Sequence, residues 1–287
     1  MSANKMTAIL LAVITILGVL ASCSAKEEQP FKTTPELPET AEPFSPELVT
    51  DYTEDEATLA IITDLRATFI QMAETPAADF SFTTSALGVT VTKYSGSAEN
   101  LRIPEEINGQ AVIAIANGAF AEHQALKALY IPDSVQSLGT GILADCVALS
   151  ALRTPILGAD KESEQYLGYL FGADSYENNA RDVPATLTYL ELGGEATSLA
   201  DFALFDCNDL VCITLPESMT ELGTYSLYMC SNLLAINTEH LTSIADHAMD
   251  SCSALTRLEF GEGLTSIGLG ALEGCVGLRS LTFPFVG

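Results

Sequence analysis

The sequence predicts an α/β repeat: a solenoid of 22–23-residue rungs sharing a parallel sheet, preceded by an N-terminal helix and a hairpin cap. Three observations predict it. From residue 98 onward one pattern recurs, and its leucines at 126, 149, 187, 210, 233, 255 and 278 are 23, 38, 23, 23, 22 and 23 residues apart. Each rung carries an extended stretch such as "LKALYIP" in which apolar and variable residues alternate, so one face only is written for a core. Five rungs end in a cysteine at constant phase: Cys146, Cys207, Cys230, Cys252 and Cys275 each lie eight residues after Leu138, Leu199, Leu222, Ile244 and Ile267. Units this short cannot bury an apolar face alone and must stack on their neighbours.

Residues 1–22 have the form of an export signal, with Lys5 as a positive start and "AILLAVITILGVLAS" as an apolar run ending in small residues. That run is short for a membrane-spanning helix. Its end, "LASC" (Leu20 to Cys23), resembles the lipobox of bacterial lipoproteins, which implies cleavage before Cys23 and acylation of that residue. A chain so modified is held at a membrane by lipid. The following "KEE" is similar to the basic-acidic-acidic surface-export signal of some Bacteroidetes-type lipoproteins, and Ser24 differs from the aspartate of inner-membrane retention. Residues 23–46 are rich in proline and glutamate with almost nothing to bury, which predicts a disordered acidic tether.

Residues 47–79 predict an amphipathic helix. Thr53 and Glu56 make a capping box, and Leu59, Ile62, Leu65, Phe69 and Met72 recur at three- and four-residue steps over 54–74. The stripe is expected to lie on the open end of the domain that follows. Residues 80–100 hold two alternating runs around Leu87 and Gly88, a capping hairpin. Rungs fill 101–287, with an insertion at 157–186. In the second rung Leu126, Leu129 and Ile131 point inward, Pro132 ends the strand, and Val135 and Leu138 refill the core. Leu143 and Cys146 close the far wall through a tight helical or 3₁₀ turn.

"IPEEING" (Ile103 to Gly109), "IANGAF" (Ile115 to Phe120), "LYIPDSV" (Leu129 to Val135) and the closing cysteines together resemble the BspA-like leucine-rich repeat family of bacterial surface proteins. The resemblance covers residues 80–287 and implies a leucine-rich-repeat solenoid whose insertion follows a "PFVG"-like strand end, here Pro155 to Gly158. It also implies a role in adhesion to host or neighbouring-cell proteins, such as extracellular-matrix components.

Composition narrows the function. With 38 acidic against 12 basic residues and a formal net charge of −26, the chain lacks the clustered Lys and Arg that nucleic-acid binding needs. There are three histidines, His123, His240 and His247, and no phosphate loop, nucleophile elbow or zinc-binding helix motif. No catalytic residue, metal ligand or cofactor is expected. The cysteine column reads as buried thiols filling a tight turn, with disulfides between neighbouring rungs left open. Cys212 falls on the outward side of its strand, where no residue of its own rung lowers its pKa. In "IADHAMDSC", residues 244–252, His247 takes the slot held by Tyr225 and Gly270 in neighbouring rungs and is expected to face solvent.

What remains is a binding surface. Tyr130, Arg153, Tyr189, Glu191, Arg257 and Glu259 alternate with the core residues and point to the concave face of the sheet, and Tyr and Arg are the residue types that carry interface energy. Tyr166, Tyr169, Phe171 and Tyr176 place a second candidate on the insertion, because loops on a rigid scaffold carry recognition. The expected partner is a protein such as a matrix or other cell-surface protein. An envelope assembly role and glycan binding are the alternatives.

Overall fold

A computed structural model describes residues 56–284. The export signal, Cys23, the tether, Thr53 and the terminal "FVG" lie outside them. Among the described residues no helix is long and apolar enough to cross a membrane.

A helix spans Glu56–Ala67, shorter than the periodicity predicts; the backbone then turns through residues 68–71, which carries Phe69 and Met72 onto a new heading. The hairpin follows, with β1 (Phe80–Thr84) antiparallel to β2 (Val89–Tyr94). Gly88 turns it at a φ of 150°, and a Cβ there would stand 2.6 Å from the Ala111 carbonyl oxygen. The first rung supplies β3 (Asn100–Arg102), β4 (Glu106–Ile107) and β5 (Gln110–Ile115). Later rungs supply a first strand and a two-residue second strand. These are β6 (Ala128–Tyr130) with β7 (Ser137–Leu138), β8 (Ala151–Thr154), β9 (Tyr189–Leu192) with β10 (Ser198–Leu199), and β11 (Cys212–Thr214) with β12 (Glu221–Leu222). Then come β13 (Ala235–Ile236) with β14 (Ser243–Ile244), β15 (Arg257–Glu259) with β16 (Ser266–Ile267), and β17 (Ser280–Thr282).

The first strands make a six-stranded parallel sheet in the order β3-β6-β8-β9-β11-β13, and β15 pairs with β17. The second strands β10, β12, β14 and β16 make another parallel sheet, while β2 pairs parallel with β5 and β5 with β7. The hairpin therefore extends the second ladder and puts Val89, Val91 and Tyr94 against the first rung's core. The core runs the length of the hairpin and the repeats. Leu126, Leu149, Leu187, Leu210, Leu233 and Leu255 are all buried, and Leu278 packs against them from the last rung. The six described cysteines are free thiols. Cys146, Cys230 and Cys252 each donate to a carbonyl of the rung before, at 3.1, 3.3 and 3.3 Å, and burial pushes the Cys146 thiol up to about 11.

The insertion is a lengthened far wall. β8 and β9 pair directly across it, Ala151 opposite Tyr189, so the ladder is not interrupted. Its middle folds back as a 3₁₀ helix, Leu167–Phe171, that buries Leu167, Leu170 and Phe171. The backbones of Gly141 and Leu143 donate to Tyr169 and Leu170, and Leu167 donates to Ala203, so the segment bridges the rungs on either side.

The other far walls are turns rather than helices, and each bends at two residues with positive φ, four apart. The pairs are Gly118 and Glu122, Gly141 and Asp145, Phe202 and Asp206, Tyr225 and Met229, His247 and Ser251, and Gly270 and Gly274. The left-handed conformation aims the backbone N–H at the next rung in most of these positions: Phe202 donates to Thr224, Tyr225 to Asp246 and His247 to Leu269. A non-glycine residue there costs about 1–2 kcal/mol. Tyr176 on Phe202 (4.3 Å between centroids), Phe202 on Tyr225 (5.5 Å) and Tyr225 on His247 (4.9 Å) stack face to face. Ring pairs contribute roughly 0.5–1.5 kcal/mol each beyond their buried area, which offsets most of that strain.

This balance has a measurable sign. Replacing Tyr225 removes the stack in either case, but Tyr225→Gly also relieves the backbone. In chemical denaturation Tyr225→Gly should be more stable than Tyr225→Ala by about 1 kcal/mol, the reverse of the order in a helix or strand. An alanine variant at least as stable as the glycine variant would remove the strain from the account.

Candidate functional site

Parallel pairing without slip turns the outward strand positions into columns. Ala128, Ala151, Tyr189, Cys212 and Ala235 form one, and Arg102, Tyr130, Arg153, Glu191 and Thr214 form the next. The first column is apolar and lies outside the main core. It is covered by the chain's own N-terminal segment: Ile62 and Phe69 are buried on Ala128, Ala151, Tyr189 and Cys212, with Leu65, Met72, Tyr130 and Ala235 packed around them. Phe69 stacks on Tyr189 at 5.7 Å and meets Tyr130 edge-on at 6.0 Å. At the far end the Thr75 N–H donates to the Arg102 carbonyl, and the Arg102 N–H donates to the Thr75 hydroxyl, fastening the segment to the edge of β3.

The helix therefore lies across the face predicted to bind ligand, rather than over the open end of the repeats. A stripe at helical spacing announces that an apolar partner exists; it does not say which of two apolar surfaces the partner is.

This changes the surroundings of the predicted residues. Arg153 is 8% exposed. Its guanidinium donates through Nη2 to both oxygens of Asp133 (2.9 and 2.8 Å), through Nε to Glu191 (3.0 Å) and through Nη1 to the Ile131 carbonyl (2.9 Å), and lies 4.4 Å from the Tyr130 ring centre. Arg102 covers that ring at 3.8 Å. Tyr189 is 1% exposed, donates to Glu191 Oε2 at 3.0 Å and lies 3.3 Å from the Thr214 hydroxyl, and burial pushes its phenol well up. Tyr130, Arg153, Tyr189 and Glu191 are thus brought together as one network beneath and beside Phe69.

Arg257 and Glu259 stand apart from it, on β15, paired with each other and reachable from solvent. Between them and the helix runs a groove of about 330 Å³, lined by Leu59, Ile62, Arg66, Ala235, Thr238, Arg257 and Glu259.

Cys212 is buried, where its outward register suggests exposure, because the helix covers it. Burial raises its pKa, while the charge and hydrogen bond of Arg66 pull the other way. That partner was not visible in its own rung because it comes from a helix 146 residues earlier. On the insertion, Phe171 is in the core, Tyr166 donates to the Ala173 carbonyl (3.2 Å) and Tyr169 to the Leu138 carbonyl (3.1 Å). The rings of Tyr166 and Tyr176 still border a depression of about 360 Å³ together with Gln165, Asp201 and Phe202. His247 does not simply face solvent: its ring is half-buried on Tyr225 and bonds Asp250.

A family model described as BspA type leucine rich repeat region matches six copies, over residues 90–163 and 182–286. The unmatched stretch between them is the body of the insertion. Among solved structures the chain is similar to a Treponema pallidum leucine-rich repeat protein, at 21% identity over 72% of this chain and 91% of that one, with a TM-score of 0.44. It is also similar to a leucine-rich cell surface protein from Faecalibacterium prausnitzii, at 20% identity over 74% and 76% of the two chains, with a TM-score of 0.35. None of the curated proteins searched matches.

The cover over Cys212 is open to test. Phe69→Ala removes the ring that fills the space between Tyr130 and Tyr189 and should loosen the segment, exposing a thiol that is otherwise shielded. Peptide-resolved alkylation should show Cys212 reacting at least tenfold faster in Phe69→Ala, while Cys230 and Cys252 stay protected. Equal Cys212 rates in both proteins would mean that the segment does not depend on this contact.

Proposed function

The chain belongs to the BspA-type leucine-rich repeat family, and from that premise we propose that it is a lipid-anchored cell-surface protein that binds other proteins. Its partner docks on the part of the outer sheet face that the N-terminal helix leaves open. The role is adhesion to host or neighbouring-cell proteins such as extracellular-matrix components. The observation that carries the reading is the groove between Leu59, Ile62 and Arg66 on the helix and Ala235, Arg257 and Glu259 on the sheet.

The groove has the make-up of a protein-binding site. Its walls set Leu59 and Ile62 of the helix and Ala235 of the sheet among polar and charged groups, Arg66, Thr238, Glu239, Arg257 and Glu259, and these charges are of both signs rather than a uniform field, which suits a mixed protein surface. Tyr130, Arg153, Tyr189 and Glu191 contribute by holding the helix that forms one wall. Tyr176 offers the partner a second contact on the far wall, while Tyr166 is buried behind it with its hydroxyl on the Ala173 carbonyl. Cys23 supplies the anchor through acylation, and the tether at 23–46 gives the repeats reach from the membrane.

Solid-phase binding against matrix proteins, envelope extracts and glycans separates the readings. Exchanging the charges with Arg257→Glu and Glu259→Arg should weaken capture of a matrix protein about tenfold without moving the melting temperature, because both side chains are surface groups. Arg153→Ala should instead cost about 3 kcal/mol of stability, since it strands Glu191 beside a buried phenol. Capture of an envelope protein or glycan alone would sink the adhesive role.

The anchor has its own measurement. Labelled palmitate should enter the wild-type chain and not Cys23→Ala, which should appear in the soluble fraction. Label retained in Cys23→Ala would remove the lipid from the proposal.

A further inference from the structure

The slot that holds Phe202 and Tyr225 on the far wall holds His247 one rung later and Gly270 in the rung after that. Three residues further along, a second column runs Phe205, Tyr228, Asp250 and Glu273, with Phe205 stacked on Tyr228 at 5.1 Å. Both columns change together. Where the aromatic stack ends in an imidazole, the neighbouring column turns from rings to carboxylates.

The three side chains at that point converge. His247 Nδ1 is 3.0 Å from Asp250 Oδ2 and 3.9 Å from Glu273 Oε2, and the three candidate ligand atoms all lie within 4.8 Å of one another. Ligand atoms around a four-coordinate zinc ion, with bonds of about 2.0–2.1 Å, stand about 3.4 Å apart, and the two shorter spacings straddle that value. The ring is held from behind: it stacks on Tyr225 at 2° between planes, and the residue's left-handed backbone is fixed by the bond to Leu269. The Ser251 hydroxyl donates to Asp250 Oδ1 at 2.8 Å, which orients that carboxylate and leaves Oδ2 toward the imidazole. Gly270 keeps the space clear, because a Cβ there would stand 2.6 Å from His247 Nδ1 and 3.1 Å from Glu273 Oε2.

We infer that His247, Asp250 and Glu273 form a binding site for a divalent transition-metal cation of the zinc type. The imidazole nitrogen selects against calcium and magnesium, which take oxygen ligands. Asp250 lies largely buried while Glu273 is exposed, so a fourth position is open to water or to a ligand group from a partner protein. The strongly negative chain favours cation approach. The site does not rest on the binding reading above, since it lies on the opposite wall of the rung from the sheet face.

The test uses the full chain and zinc chloride in competition with a chromophoric chelator, with cobalt(II) substitution as a spectroscopic readout. Expected are one zinc per chain, affinity at least tenfold weaker in both His247→Ala and Glu273→Gln, and a cobalt spectrum without the near-ultraviolet charge-transfer band that a thiolate ligand produces. Glu273→Gln changes an exposed side chain and should melt like the wild type without zinc, so its loss of affinity reports on the metal rather than on folding. No zinc bound, a loss below tenfold in either variant, or a thiolate band from the cysteines would overturn the site.

Discussion

The structure depends on one constraint: parallel strands stacked in register. Leu129, Leu152, Leu190, Ile213 and Ile236 stand directly over one another, so each is packed between the apolar side chains of the rungs above and below. Burying one such side chain contributes about 2 kcal/mol, and a slip of one residue would turn the entire column to the outside. The long rung shows how stiff this constraint is. Its additional residues are accommodated in the far wall, and β8 and β9 keep the same pairing as every other neighbour.

Register also fixes what the outside of the sheet must be. Residues next to the core column on each strand form columns of their own on the outer face, and one of these, with Ala128, Ala151, Tyr189 and Cys212, is too apolar to be left in water. Alanine in the first two strands lets Phe69 approach, and the tyrosine in the third supplies the ring it stacks on. Beside this strip Arg153 is nearly withdrawn from solvent, a position that is tolerable because Asp133, Glu191 and the Ile131 carbonyl meet its donors. An exposed pair such as Lys127 with Glu99 holds its partners at comparable range and adds little, since water competes for both charges.

The repeat, its period and the inward leucines were legible because each is written once per rung, and the same signal at the same phase outweighs local ambiguity. The hairpin was legible from alternation about Leu87 and Gly88. The destination of the helix was not, because a stripe of Leu59, Ile62, Leu65 and Phe69 encodes an apolar partner without an address. The fate of Tyr189, Arg153 and Cys212 followed from that one omission: their outward register is right, and a segment distant in sequence makes them buried. On the insertion, a 3₁₀ turn rotates Tyr169 and Phe171 away from solvent, and no periodicity spans so few residues. The left-handed slots of the far wall did leave a trace, since Gly118, Gly141 and Gly270 share the phase of Phe202, Tyr225 and His247.

Those slots separate what holds the fold from what can vary on it. A core position constrains the side chain, because its volume is shared with the rungs on either side. A far-wall slot constrains the backbone, because the N–H must reach the next rung's carbonyl; the side chain is left to project along the wall. Glycine, phenylalanine, tyrosine and histidine all occupy it, at a cost of about 1–2 kcal/mol for each residue that is not glycine. A position with that property can exchange a ring for an imidazole without disturbing the leucine column. It also repeats at one-rung intervals, so groups on successive rungs, such as His247 and Glu273, come within ligand distance of each other by the same register that builds the core.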